Sequence, residues 1–314
     1  MSTRSALSNP AATPVTATVR NESAGRWPVM VLAHNEERHI GKCLESIFAA
    51  DPGAPLDAYV MANGCTDATE TIVAALSREN PHIHLVSITL GDKCNAWNVF
   101  VHETVAQQCP GESIYFFVDG DARVLPGSFS AMAKVLQEDR IANAVGAPPA
   151  SGRSMARDRG ELVRERGLVA NLYALRGSFV DRCRAAGVRI PLRLEGDDGL
   201  IGALLRWDLD PRREMDRRFI APCPGAGFTF ESFSIARPAD WRAYWKRMVR
   251  YGRRRYEFAL LGPRLKAEGL GAMPRDIRDI YVDAHRLPLK WDGIYTLTNW
   301  FALRQMRRLA QSPD

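Results

Sequence analysis

The chain of 314 residues has no uninterrupted apolar run of about 18 residues, the length a helix needs to cross a bilayer. No helix is therefore expected to span a membrane. Residues 1–26 lack the apolar stretch of a secretory signal; rich in Ser, Thr, Ala and Asn, they read as a disordered tail. Cysteine is scattered, at Cys43, Cys65, Cys94, Cys109, Cys183 and Cys223. None of these forms a Cys-x-x-Cys pair, which removes the usual zinc and dithiol motifs and points to reduced thiols in a cytoplasmic setting. There is no internal repeat. The first strand-like run is not followed by a glycine-rich phosphate loop, which weighs against a nucleotidyltransferase.

Composition is that of a soluble globular protein, large enough for one domain with a substantial appendage. The net charge of +6 is unevenly placed. From Arg237 onward there are 17 Lys and Arg against 8 Asp and Glu, so the remainder is slightly acidic. The basic excess of the C-terminal quarter suits an anionic partner: phospholipid headgroups, a lipid-linked phosphate or, less favoured, nucleic acid.

The most informative segment is Ile114 to Arg123. An apolar run of strand type, Ile114 to Val118, delivers Asp119 and Asp121 with Gly120 between them. A buried strand ending in Asp-x-Asp holds two hard oxygen ligands at the rim of a sheet, suited to Mg²⁺ or Mn²⁺ and through it to a diphosphate. Three other strand-type runs end in polar clusters. Pro28 to Ala33 runs into His34-Asn35-Glu36, Asp57 to Ala62 into Asn63-Gly64-Cys65-Thr66-Asp67, and His82 to Ile88 into Gly91-Asp92-Lys93. Between them lie helical patterns, with Ile40, Cys43, Leu44, Ile47 and Phe48 on one face and Ile72, Ala75 and Leu76 on another. Alternating strands and helices imply an α/β fold with a doubly wound, mostly parallel sheet. Ligands bind such sheets at the carboxyl ends of strands, where all these clusters fall.

These motifs, in this order, resemble family 2 of the GT-A glycosyltransferases over roughly residues 27–260. They are Val31 to Glu37, Asn63-Gly64-Cys65-Thr66-Asp67, the Lys-x-x-Ala-x-Asn of Lys93, Ala96 and Asn98, and Asp119-Gly120-Asp121. The resemblance implies a GT-A nucleotide-binding sandwich over residues 27–236, followed by a helical, basic and aromatic extension over residues 237–314. It also implies a nucleotide-sugar donor, Mn²⁺ or Mg²⁺ as cofactor, and transfer to an acceptor hydroxyl. The chain departs from the family pattern at Leu32 and His34, where Pro and Tyr are usual, and at Ala62 and Asn63, where two acids are usual.

On this resemblance Asp121 is the direct metal ligand, and Asp119 faces the ribose or the metal's waters. His34 and Asn63 sit where the nucleobase is held; an imidazole can stack on a base and an amide can pair with its edge. Glu36 and Lys93 join the donor side, Glu36 with a competing role at a helix start and Lys93 as a phosphate contact. The cluster Glu195-Gly196-Asp197-Asp198 matches the family's acidic pair ahead of a helix. Mapping the pair onto Asp197 and Asp198 makes Asp198 the general base that takes the acceptor's proton, with Asp197 the alternative, Glu195 an outsider and helix capping the plainer role. Arg176 matches the acceptor-side wall. Arg253-Arg254-Arg255-Tyr256 partly matches a Gln-x-x-Arg-Trp motif, with Gly252 for Gln, so Arg255 is expected at the diphosphate and Tyr256 at the acceptor. Asn98 is given a helix-packing or capping role, and His285 is a remote candidate for a further metal ligand.

From Asp240 onward aromatic and basic residues separate by face. Trp241, Tyr244, Trp245, Met248 and Tyr251 share one side, and Arg242, Lys246, Arg247, Arg250, Arg253 and Arg254 largely take the other. Such a helix suits an anionic membrane surface as well as a packed domain face. The theme returns from Trp291 to Arg308. The reading is a cytoplasmic, metal-dependent, inverting glycosyltransferase, peripheral to a membrane, with a UDP-sugar favoured and a lipid-linked or polysaccharide-precursor acceptor. The alternatives are a nucleotidyltransferase on a similar sheet and a non-catalytic protein that binds anionic surfaces.

Overall fold

The computed structural model describes residues 16–17, 25–152, 155–231 and 238–311. The amino-terminal half alternates strand and helix: β1 (Thr16–Ala17), β2 (Trp27–Ala33), α1 (Ile40–Ala50), β3 (Leu56–Asn63), α2 (Thr69–Glu79), β4 (Ile83–Ile88), α3 (Lys93–Val99), α4 (Val105–Gln108) and β5 (Ile114–Asp119). Then come β6 (Arg123–Val124), α5 (Ser128–Glu138), β7 (Ala144–Gly146), α6 (Met155–Glu165), β8 (Leu172–Arg176), α7 (Gly177–Ala185), α8 (Asp197–Arg206), β9 (Ile220–Pro222) and β10 (Phe228–Thr229). Two long helices, α9 (Pro238–Glu268) and α10 (Thr296–Leu309), complete the chain.

The main sheet has eight strands in the order β1-β4-β3-β2-β5-β8-β7-β9. Strands β4, β3, β2 and β5 are parallel, and β8 runs against both β5 and β7. Every residue of β3 is buried, as expected of a central strand covered on both faces. Successive residues feed opposite cores. Met30 and Phe117 pack with α3, α8, α9 and α10, while Val29, Val31, Phe116 and Val118 pack with α1 and α5. This two-residue alternation gives the sheet its two cores and three layers.

The expected α/β class and parallel order are those observed. The expected tail needs a correction, since Thr16–Ala17 pair antiparallel with Ser87 and Val86 at the sheet edge. The rest of residues 1–24 lies outside the described residues, as does the expected boundary at residues 236–237. The C-terminal helices join the same core as the sheet, because Val249, Tyr256, Leu261 and Leu265 of α9 pack in one cluster with Ile190, Leu194 and Leu200. At Gly252 the two long helices nearly touch. A β-carbon there would lie 3.1 Å from both Ala302 Cβ and Asn299 Oδ1.

Candidate active site

Register brings the polar strand ends together, with Leu32 opposite Asp119 and Ala33 opposite Ala62. Gly120 then turns back over β2 and donates its N–H to the Leu32 carbonyl at 2.8 Å. A β-carbon on Gly120 would meet that same oxygen at 2.7 Å. Glycine is thus required by close approach of two backbones, and this holds the two acids at the rim of the sheet.

Asp119 Oδ2 accepts a hydrogen bond from Asn171 Nδ2 at 3.1 Å, and its Oδ1 lies 3.5 Å from Lys93 Nζ. The same ammonium reaches Asp197 Oδ2 at 3.3 Å. Burial pushes the Asp119 carboxyl up, Lys93 draws it back, and Asp121 and Asp197 raise it further, to about 6. For Lys93, burial works against the charge, but Asp119 and Asp197 more than reverse this and hold it above the ordinary lysine value. Asp198, Trp97 and Tyr173 line the same cleft.

Helix α3 explains the Lys-x-x-Ala-x-Asn pattern. Asp92 caps it, accepting from Asn95 N at 2.8 Å, and its other oxygen accepts from Arg193 N at 2.6 Å. Lys93 therefore leaves the first turn toward the carboxylates. About a turn and a half on, buried Asn98 exchanges both its amide bonds with the backbone of Ile190, each at 2.8 Å. The expected packing role of Asn98 is what the geometry gives it: it grips the segment that leads into Glu195 to Asp198.

Helix α9 holds that segment from the other side. Glu257, fully buried, accepts from Glu195 N at 3.0 Å and from Tyr281 Oη at 2.6 Å. Burial raises its carboxyl, against the pull of Tyr281 and Arg253. Arg253 pairs with Glu195, and Arg254 pairs with Asp198. Asp198 Oδ1 also accepts from Gly199 N at 2.8 Å at the start of α8. The adjacent acids are thus divided: Asp197 faces Lys93 and the strand ends, and Asp198 faces α9.

On the opposite flank the β2 and β3 ends are tied together. Asn63 is buried and donates to the Ala33 carbonyl at 2.7 Å, while its own carbonyl oxygen accepts from His34 Nδ1 at 2.7 Å. The His34 ring is exposed and fixed in orientation. Gly64, at φ +59°, passes so near Gly91 that a β-carbon would sit 2.5 Å from its Cα. Glu36 bonds His39 at 2.9 Å. Burial raises its carboxyl, His39 lowers it, and Asp121 raises it again.

Of the sequence candidates, Lys93, Asp119, Asp197 and Asp198 converge on one cleft, with Asp121, Glu36, His34 and Asn63 along its rim. Asn63 is buried at the strand end: its side-chain nitrogen is spent on the Ala33 carbonyl, and its backbone carbonyl orients His34. Arg176 does not reach the site. Strand β8 runs antiparallel, so Arg176 pairs with Ile114 at the far end of β5 and bonds the carbonyls of Leu136, Asp139 and Ala142. Arg255 turns to Asp292 and Asn299, each at 2.7 Å, and Tyr256 is buried against Lys290 N. The helical phase of α9 brings Arg253 and Arg254 to the acidic segment in their place. His285 bonds the Val282 carbonyl in its own turn. Asn171 and Glu257 were not anticipated. No motif marks Asn171, whereas Glu257 could have been noticed as an acid four residues after Arg253 on a helix.

A mostly parallel sheet with carboxylates gathered at its strand ends is the architecture of a GT-A glycosyltransferase. Residues 29–183 match the family described as Glycosyl transferase family 2. That stretch of the chain is a family 2 domain, and the protein is an enzyme of the glycosyltransferase class. No curated protein matches the sequence. Among solved structures, a mannosyltransferase from Pyrobaculum calidifontis, in complex with GDP-Man and Mn²⁺, is 18% identical with a TM-score of 0.55. The alignment covers 95% of this chain and 86% of that one. TarS of S. aureus aligns at 14% identity and TM-score 0.49, covering 91% and 90%. Glucosyl-3-phosphoglycerate synthase from Mycobacterium tuberculosis, with Mn²⁺, UDP and phosphoglyceric acid, aligns at 20% and 0.48, covering 73% and 78%.

Proposed function

We propose that the protein transfers a sugar from a nucleotide-sugar, a UDP-sugar in the first instance, to an acceptor hydroxyl by a single inverting displacement. The observation that carries this reading is the bridge made by Lys93 between Asp119, at the end of β5, and Asp197, at the start of α8. It joins the strand end where a diphosphate would sit to the acidic pair where an acceptor would sit.

The donor set fits Mn²⁺ or Mg²⁺. The Asp121 carboxylate has no hydrogen-bond or ion-pair partner among the described residues, so its oxygens are open to a ligand. No cluster of three or more metal-binding side chains exists among the described residues. Both facts suit an ion held by one or two carboxylates that completes its shell from phosphate and water. Asp121 and Asp119 would hold it, and it would neutralise charge gathering on the departing nucleoside diphosphate. Lys93 adds a second positive charge beside that group. His34, held by Asn63, offers a ring face to the base. Asp198 takes the proton of the attacking hydroxyl, and Arg254 fixes its orientation. The acceptor in this reading is a lipid-linked or polysaccharide precursor on the cytoplasmic side of a membrane.

The test is turnover of UDP-, GDP- and TDP-sugars with Mn²⁺ and with EDTA. Asp198→Asn keeps shape and removes the proton acceptor, so turnover should fall by about 10²-fold or more with donor binding intact. Full activity in saturating EDTA would remove the metal from the mechanism. A severe Asp197→Asn beside a mild Asp198→Asn would move the base by one residue.

A further inference from the structure

The proposed transfer chemistry leaves one large surface unused. On the first turns of α9 Trp241 is 61% exposed, and Tyr244 and Trp245 are exposed beside it. Trp245 meets Phe301 of α10 edge-on at 5.5 Å, and Phe301 meets exposed Trp300 at 4.9 Å. Trp300, Leu297, Ile294 and Leu289 in turn line one open depression. Ile294 is 84% exposed, as is neighbouring Trp291 at 83%. Helices from two parts of the chain therefore build one continuous aromatic surface. A single helix pattern in the sequence could not show this continuity.

Its surroundings are basic. Arg242, Lys246 and Arg250 are exposed on α9, and none has an ion-pair partner among the described residues. Arg304 stacks over the Trp300 ring at 5.2 Å. Asp292, next to Trp291, is already neutralised by Arg255. Arg253 and Arg254, expected on the basic face, are turned inward to Glu195 and Asp198, so they do not contribute. Exposed Trp and Tyr on one side of α9, with unpaired Lys and Arg on its other side, is the pattern of a helix that lies at a lipid–water interface: the rings enter the headgroup layer and the cations meet anionic lipid.

We infer that this surface, formed by the start of α9, residues 289–297 and α10, docks the protein on an anionic bilayer. No helix among the described residues is long and apolar enough to cross a membrane, so attachment here is peripheral. Trp245 and Arg254 lie on one helix, about 14 Å apart along its axis but about half a rotation apart around it, so the docking surface and the Asp198–Arg254 pair face different sides of α9. The docking surface itself does not depend on the identity of the sugar, nor on the protein being a transferase.

The test is co-sedimentation of the full chain with vesicles of phosphatidylcholine alone and of phosphatidylcholine mixed with phosphatidylglycerol, at low and high salt. Binding is expected to the mixed vesicles at low salt, falling as salt screens the charges. Replacing Arg242, Lys246 and Arg250 together by Gln should weaken it about 100-fold, at roughly fivefold per charge near the surface. Trp291→Ser with Ile294→Ser, both at solvent-exposed positions, should weaken binding at every salt concentration. Unchanged thermal unfolding of each variant shows that the fold is intact. Negligible binding to both vesicle types at low salt overturns the inference. So does full binding by the triple Gln variant. A chain that dimerises through the patch, turns monomeric in the Trp291/Ile294 variant and ignores vesicles would make the surface a self-interface and equally refute it.

Discussion

Asp119 is placed where its charge costs stability, and this can be measured. Its carboxyl rises from 3.8 to about 6, chiefly through burial and only partly offset by Lys93. A shift of that size corresponds to roughly 3 kcal/mol between the two protonation states. The side chain is 23% exposed, so water relieves part of this, and about 2 kcal/mol is the expected penalty on the ionised form. Below about pH 4 Asp119 is protonated in both folded and unfolded chains and the penalty is absent. It builds as pH rises toward about 6 and is complete above that. Asp119→Asn should therefore stabilise the metal-free protein at pH 7.5, raising its unfolding temperature by roughly 3–6 °C. The gain should shrink to nothing near pH 4. Thermal unfolding of both proteins across this range, in EDTA, measures it. A variant less stable than the parent at pH 7.5, or a difference that does not change with pH, would refute the reasoning. The same variant should lose metal-dependent nucleotide binding, as expected of a group retained for function at the expense of stability.

Asp121→Ala should fold normally, because its carboxylate has no partner to lose, yet show no additional thermal stabilisation by UDP or GDP when Mn²⁺ is added. Gly120→Ala drives a β-carbon against the Leu32 carbonyl and should cost about 1–3 kcal/mol, with nucleotide binding lost as the acids shift; an unaltered thermal profile would show that the turn relaxes freely. Asn98→Ala leaves the buried N–H and carbonyl of Ile190 unpaired, at about 1–3 kcal/mol. Its turnover should fall along with its stability, because the grip on the acidic segment is released; kinetics matched to circular-dichroism melts check this.

Much of this protein was legible in its sequence because the signals are local. Strands β2 to β5 are short apolar runs of about the right length, their polar ends follow directly in the chain, and a parallel sheet must gather those ends at one edge. Asp119-Gly120-Asp121 and the α3 motif are likewise read within a few residues, and the structure brings Asp119 and Lys93 to the same strand ends. Tertiary structure decided whatever depends on direction and phase. Strand β8 runs antiparallel, and this alone carries Arg176 to the wrong end of the sheet. Helix α9 spans 31 residues, and a rotation of about 100° per residue separates Arg254, which meets Asp198, from Arg255, which meets Asp292. Asn171 and Glu257 act across 52 and 62 residues of chain, a separation over which no sequence pattern specifies contact. The aromatic surface is of the same kind: each helix announces its own stripe, but only the packing at Gly252 and Ala302 joins the two into one face.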